Sequence, residues 1–417
     1  MSAPAEGEVT FSATDLLGID DIADPYPAYQ RMLDEGPIVA PDGLFALFPT
    51  YDECFQVITD PASSVDREKA ALFQQLISPA LSEEQRAENR RGRVFLFMDP
   101  PDHTRLRRLV SKAFTRRTVE GLRPWVERLA AEMLDTAVAR GRIEVVEDIA
   151  YPLPVAVISE MLGVPKGDRD TFAGWSHVLA RSLDSTLSVP GGEEFRQIRS
   201  SADDFRAYVG ALADERRARP RKDLISALVA VEAEGDRLSN EELISTCMLL
   251  LIAGHETTVS LIGNGMLAML RHPQAQAQLA STPELAEGFV EEVLRYDPPV
   301  QMTMRVAGAP MTVGGHDVAE GGVMVLALAA ANRDPRQFSD PLRFDPTRAD
   351  ARHLAFGSGI HFCLGAPLAR MEGQVVLPRM ARRLRNPRLA AGDPQPMAYK
   401  DNIVLRGLSR LHLEFDT

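Results

Sequence analysis

A cysteine acts as a metal ligand or nucleophile through its thiolate. The surroundings of Cys363 favour that state. Cys363 lies among Gly357, Gly359 and Gly365, just before a helical pattern that runs to about residue 385. Glycines let backbone approach a bulky, flat group and leave amide N–H groups free to point at sulfur. A helix N-terminus favours the negative charge. No His/Asn pattern of a cysteine nucleophile accompanies this residue, so a thiolate held as an axial metal ligand fits better. Cys54 and Cys247 lack such neighbours and read as small buried hydrophobes. Three further polar groups stand at helical spacings. His103 and Arg107 are i, i+4 and share a face. Glu292 and Arg295 are i, i+3, and an ion pair on one helix face is their plain reading. Ala253-Gly254-His255-Glu256-Thr257-Thr258 interrupts an apolar run; alone it reads as a polar kink whose hydroxyls bond back to the preceding turn.

Together these stretches carry a resemblance. Phe356-Gly357-Ser358-Gly359-Ile360-His361-Phe362-Cys363-Leu364-Gly365 resembles the haem-binding loop of the cytochrome P450 monooxygenases, Phe-Gly-x-Gly-x-His-x-Cys-x-Gly. The other stretches match the family's motifs in order and spacing, so the resemblance covers nearly the whole chain, from about residue 25 to about residue 415. It implies haem b (iron protoporphyrin IX) with Cys363 as axial ligand, cradled by Phe356, Gly357, Gly365 and Ala253. His103, Arg107, Arg305 and His361 match the family's propionate partners, where cationic donors suit carboxylates. Glu292-Val293-Leu294-Arg295 is similar to the family's Glu-x-x-Arg, and Pro341-Leu342-Arg343-Phe344 to its Pro-x-Arg-Phe. Glu292, Arg295 and Arg343 are thus expected to form a buried network, since a buried Arg needs a carboxylate. Gly254 would open a groove for dioxygen, while Glu256 and Thr257 would relay protons. The acid is Glu where many relatives carry Asp.

The resemblance implies a monooxygenase that places one atom of dioxygen in a medium-sized hydrophobic substrate by hydroxylation or epoxidation. Leu249, Ile252, Ala253 and Glu256 share a stripe of one long helix that is expected to face the pocket. Val300, Gln301, Met302 and Met304 resemble the family's substrate-contacting strand, and Phe73, Leu76 and Ile77 are expected in the pocket roof. No flavin or iron–sulfur segment fits in 417 residues, so electrons are expected from NAD(P)H through a reductase and a small acidic ferredoxin. Arg105, Arg108, Lys112 and Arg116 fall on one helical stripe opposite His103 and Arg107, a basic face for such a partner. The alternative is a haem-thiolate ligand-binding or sensor protein without turnover. A peroxide-driven hydroxylase is disfavoured, because that subgroup carries Arg-Pro in place of the acid–Thr pair.

The elements that position these residues read as mainly α, with small peripheral sheets, in one large cytochrome P450-like domain (21–417) after a tail (1–20). Helical patterns occupy 25–35, 51–59, 103–114, 119–140, 152–163, 168–185, 194–218, 222–234, 284–296 and the stretch after Cys363. Ser239 and Glu242 form a capping box. The helix they open runs to about residue 271, or roughly 48 Å at 1.5 Å per residue, and should cross the core over the haem. Strands are expected at 44–48, 311–313, 316–318 and 323–328, with a closing hairpin of 402–406 and 411–415 around Gly407; 332–355 reads as ordered coil. The net charge of −13 argues against a nucleic-acid partner. No apolar run reaches about 18 residues, so no membrane anchor is expected. Residues 1–19 lack a signal-peptide pattern. Three separated cysteines suit a reducing compartment. We expect a cytoplasmic monomer, and the Arg-rich, Lys-poor balance hints at a GC-rich bacterial genome.

Overall fold

Sixteen of the residues from Leu243 to Met269 that a typical amphipathic helix would split between core and solvent are instead buried with their neighbours on every face of one helix, Asn240–Arg271.

 

With Ser245, Thr246, Ser260 and Asn264 the buried positions of that helix number 20, so it runs through the core rather than over it. It is the one helix among the described residues long and apolar enough to cross a membrane, and most of its apolar stretch lies inside the protein. Its start follows from the capping box: the Ser239 hydroxyl accepts from the Glu242 amide at 3.2 Å, and the Glu242 carboxylate accepts from the Ser239 amide at 2.8 Å.

The computed structural model describes residues 18–83, 93–180, 193–233, 235–349 and 351–416. The proposed tail (1–17 of it) and the end of the 168–185 helix (181–185) lie outside them. In chain order the helices are α1 (Tyr26–Glu35), α2 (Tyr51–Thr59), α3 (Asp102–Ala113), α4 (Arg116–Arg140), α5 (Pro152–Leu162), α6 (Arg169–Ala180), α7 (Glu193–Ala218), α8 (Leu224–Ala230), α9 (Asn240–Arg271), α10 (Pro273–Ser281), α11 (Ala286–Tyr296), α12 (Leu328–Ala331) and α13 (Ala366–Arg383). Strands β1 (Ile38–Val39), β2 (Phe45–Phe48), β3 (Ser63–Ser64), β7 (Thr303–Ala307) and β10 (Val323–Leu326) form a sheet in the order β1-β2-β10-β7-β3, of which only the β2–β10 pair is parallel. Strands β4 (Arg142–Glu144), β11 (Arg385–Leu389), β12 (Met397–Tyr399) and β13 (Leu408–Asp416) form a second sheet. The short pairs β5 (Glu232–Ala233) with β6 (Asp236–Arg237), and β8 (Met311–Val313) with β9 (His316–Val318), are hairpins.

Helices dominate and the sheets are peripheral, as expected. Some elements depart from expectation: the 222–234 helix ends at Ala230, before β5. The hairpin of 402–406 with 411–415 does not form: β12, further back, pairs with β13. The Asn402 side-chain oxygen accepts from the Val404 and Leu405 amides, which holds this stretch in a turn. Helix α10 lacks a sequence expectation; Pro273 supplies its first turn, where a missing N–H costs nothing.

Candidate active site

The Cys363 loop is shaped by glycine and by backbone pairing. The Cys363 amide donates to the Phe356 carbonyl at 2.9 Å, and the Gly357 amide to Leu354 at 2.8 Å. Gly357 and Gly359 hold φ of +65° and +63°, which a side chain would strain. Helix α13 starts three residues after the cysteine. The Gly365 and Ala366 amides point at the Cys363 sulfur; burial pushes the thiol up, while those amides, Arg107 and Arg370 pull the other way.

Cys363 lines a cavity of about 340 Å³ shared by α9, β7, the 95–97 turn and the Cys loop. From α9 come Leu249, Leu250, Ala253, Gly254, Thr257, Thr258 and Leu261. A Cβ on Gly254 would meet nothing within 4 Å, so this position borders open space. The Thr257 and Thr258 hydroxyls each donate to the carbonyl four residues back, Ala253 and Gly254, at 2.8 Å. Phe356, Gly357, His361, Gly365, Val300, Arg305 and Arg107 also line the cavity.

The α9 stripe differs from the expected one. The cavity face repeats every four residues, through Leu249, Ala253, Thr257 and Leu261. Ile252 and Glu256 sit one step, about 100°, round the helix. Ile252 packs against the main core. The Glu256 carboxylate forms an ion pair with the Lys400 ammonium from the segment just after β12. Behind it His255 is fully buried, with Nε2 3.5 Å from Glu256 Oε2 and Nδ1 hydrogen-bonded to Ser176 Oγ at 2.9 Å. Burial lowers the His255 pKa to about 4, so its ring is neutral at pH 7.

Gln301 and Met302 do not line the cavity either. Gln301 is buried and its amide donates to the Pro298 carbonyl at 2.6 Å; Met302 packs with Leu47, Ala28 and Ala329. Gln301 and Met302 precede β7, and the cavity instead receives Val300 and, from β7, Thr303, Met304, Arg305 and Val306. Phe73, Leu76 and Ile77 lie in a π-helical turn, with Leu76 70% exposed, and none reaches the cavity. Arg67, Phe95, Leu96 and Phe97 take the wall instead. Only the apolar Phe95-Leu96-Phe97 run hinted at this in the sequence.

A cationic corner closes one side. The His103 and His361 rings lie against each other at a 40° tilt, with centroids 4.1 Å apart. Both His103 ring nitrogens are buried without a partner among the described residues. Arg107 donates to the Phe362 carbonyl at 2.6 Å and Arg305 to the Met304 carbonyl at 2.8 Å. Burial first, then the neighbouring His103, Arg305 and Arg107, lower the His361 pKa to about 4. Two guanidiniums and two imidazoles, one of them with both ring nitrogens unsatisfied among the described residues, fit a group bearing two carboxylates. A thiol-bearing apolar wall beside them fits the iron and face of a haem.

The Glu-x-x-Arg pair lies outside the cavity and is buried. Arg295 grips Glu292 through two bonds of 2.8 and 2.7 Å and donates to the carbonyls of Asn332, Pro341 and Arg343 at 3.0, 2.9 and 3.1 Å. Arg343 contributes that carbonyl only. Its side chain is 66% exposed and pairs with Asp345 at 3.6 Å. Arg348 supplies the second guanidinium, 3.3 Å from Glu292. Its side chain turns back after Pro346 and donates to the Ser339 carbonyl at 2.6 Å, closing the coil.

The expected basic stripe is broken as well. Arg105 is held by Asp236 of β6 at 3.1 Å and by Glu242 in the first turn of α9. Lys112, Arg116 and Arg117 are exposed.

Comparison with known proteins agrees with this geometry. The cytochrome P450 family model matches residues 62–282 and 283–412. The chain is 40% identical over 411 residues to cytochrome P450 107B1 of Saccharopolyspora erythraea, covering 96% of this chain and 98% of that protein. It is 40% identical over 408 residues to the cytochrome P450 monooxygenase PikC of Streptomyces venezuelae, covering 96% and 93%. Among solved structures, ligand-free Mycobacterium smegmatis CYP164A2 superposes with a TM-score of 0.84 at 46% identity, covering 96% of this chain and 98% of that one. A buried Glu–Arg clamp, a cationic corner and a glycine-shaped cysteine loop round one apolar cavity thus have a common explanation: the chain belongs to the cytochrome P450 family of haem-containing monooxygenases.

Proposed function

We propose that this monooxygenase places one oxygen atom of dioxygen in a medium-sized hydrophobic small molecule, with haem b held through Cys363 and electrons arriving from NAD(P)H through a reductase and an acidic ferredoxin. The observation that carries the reading is that Cys363 and Thr257 line the same largely apolar cavity. A haem ligated by thiolate supplies dioxygen activation, because the ligand's electron density favours O–O cleavage. The Gly365 and Ala366 amides stabilise negative charge on the Cys363 sulfur. Phe356, Gly357, Gly365 and Ala253 shape the cofactor's bed, and His103, Arg107, Arg305 and His361 take its carboxylates. Thr257 holds a hydroxyl proton at the cavity wall. Glu256 stands one helical step away as the proton source, and Lys400 keeps its carboxylate off the cavity at rest. Rotation of the Glu256 side chain away from Lys400 brings the acid toward Thr257. Leu249, Val300 and Met304 offer apolar surface that excludes water and receives the substrate. Glu292, Arg295 and Arg348 have a structural role.

The test is spectroscopic. The reduced holoprotein with carbon monoxide should show the strongly red-shifted Soret band of thiolate ligation. Cys363→Ala should lose it; Cys54→Ala and Cys247→Ala should keep it. A histidine-type band in fresh, active protein would sink the assignment.

A further inference from the structure

Among the described residues, the cavity cations Arg67, Arg107 and Arg305 have no carboxylate partner. The surplus one is Arg67, in the 3-10 turn Arg67–Lys69. Arg67 lines the cavity beside Phe97, its guanidinium carbon 4.8 Å from that ring's centroid. Among the described residues that cation–π contact is the guanidinium's one specific interaction, and none of their carboxylates reaches it. Two acids nearby are committed elsewhere. Asp99 pairs with Lys69 at 2.8 Å and accepts from Ser64 and the Val65 amide. Asp66 pairs with Arg93 and accepts from the Glu68 amide at 3.1 Å. Arg67 is exposed where it borders the cavity; partial withdrawal of its guanidinium from water lowers its pKa, and no acid among the described residues opposes this. The cofactor does not account for this cation either, since Arg107, Arg305, His103 and His361 already provide donors for two carboxylates. Otherwise the cavity wall near Arg67 is apolar: Val65, Phe95, Leu96 and Phe97.

We propose that Arg67 is a specificity-determining residue that receives a carboxylate of the substrate, so that the preferred substrates are amphipathic molecules with an apolar body and one carboxylate end. This rests on the monooxygenase reading above and names its substrate class. The planar guanidinium binds a carboxylate through two parallel N–H···O bonds, and stacking on Phe97 presets its plane. An apolar body beyond the carboxylate then lies against the aromatic wall and points into the cavity. A neutral isostere leaves the guanidinium without a partner and binds more weakly.

The experiment is a titration of the holoprotein by substrate-induced change in the haem Soret band. The probes are dodecanoate and the steroid acid lithocholate, each against its methyl ester. At least one acid should bind more tightly than its ester by about threefold or more, as expected for an ion pair open to solvent. Arg67→Gln should remove that preference by weakening the acid and leaving the ester unchanged. Arg67→Lys should retain part of it, and 1 M salt should reduce it. Equal binding of acid and ester, an Arg67→Gln loss common to both, or no acid-induced shift at all would overturn the proposal. A fall in haem content of Arg67→Gln would assign the residue to the cofactor and overturn it too. A thiolate-type carbon monoxide band in the same samples separates these failures from failure of the monooxygenase reading.

Discussion

At the scale of single residues, what counts is where each polar atom points. Thr257 turns its hydroxyl onto its own helix and still borders the cavity. Glu256, its neighbour in sequence, faces Lys400. The two proposed relay groups are thus held apart at rest, and only Thr257 is in place beside the cofactor bed. Thr257→Ala should therefore raise the hydrogen peroxide released per NAD(P)H consumed several-fold, with haem content unchanged. An unchanged ratio would mean that another group carries the proton. The loss of one hydrogen-bonding group at a reacting centre typically costs about 10²–10⁴ in a proton-transfer step, enough to let the unproductive branch dominate.

At the scale of elements, one carboxylate organises the coil before the Cys loop. Glu292 on α11 accepts from Arg295, from the Asp345 amide at 2.7 Å and from Arg348. Removing one partner of a buried ion pair strands the other, at a cost of about 3–5 kcal/mol when both are fully buried. The Arg348 side chain is 9% exposed, against 66% for Arg343. Arg348→Met should therefore lower the holoprotein's unfolding free energy by about 2–3 kcal/mol, whereas Arg343→Ala should stay within about 0.5 kcal/mol. The measurement is the denaturant midpoint of each variant. Equal effects would show that the coil is held by backbone bonds alone.

Over the whole molecule, a net charge of −13 sets the long-range field, against which an exposed basic patch stands out. Arg105 is withdrawn from that patch by Asp236 and Glu242, leaving Lys112, Arg116 and Arg117 as its exposed members. Helix α3, which carries Lys112, also places Arg107 on the Phe362 carbonyl, next to Cys363 in sequence. An acidic ferredoxin arriving here would gain association rate more than final affinity. Charge reversal at Arg116 and Arg117 should slow ferredoxin-driven reduction at low salt and leave dithionite reduction unchanged. The difference should shrink at 1 M salt, where the Debye length is about 3 Å. Reduction at the wild-type rate in low salt would move the docking site elsewhere.

The family, the cysteine loop and the course of most helices were legible in the sequence because each depends on neighbours in the chain. A capping box, a glycine at positive φ and an i, i+3 ion pair all act within one turn. The stripe on α9 was misjudged because a helix's periodicity shows which residues share a face, not which face meets the cavity. Glu256 and Ile252 lie only one step from the lining residues, and packing decided between the two faces. Lys400 is 144 residues from Glu256, and nothing local marks it as that acid's partner. Arg348 displaced Arg343 from the clamp because the turn after Pro346 aims one guanidinium inward, and two nearby arginines look alike in a string of letters. Arg67 could be recognised as surplus only after Asp66 and Asp99 had been assigned to other cations. Local spacing therefore determined the elements and the chemistry they carry; partnership across the chain, set by close packing and the need to neutralise buried charge, was decided by the tertiary structure alone.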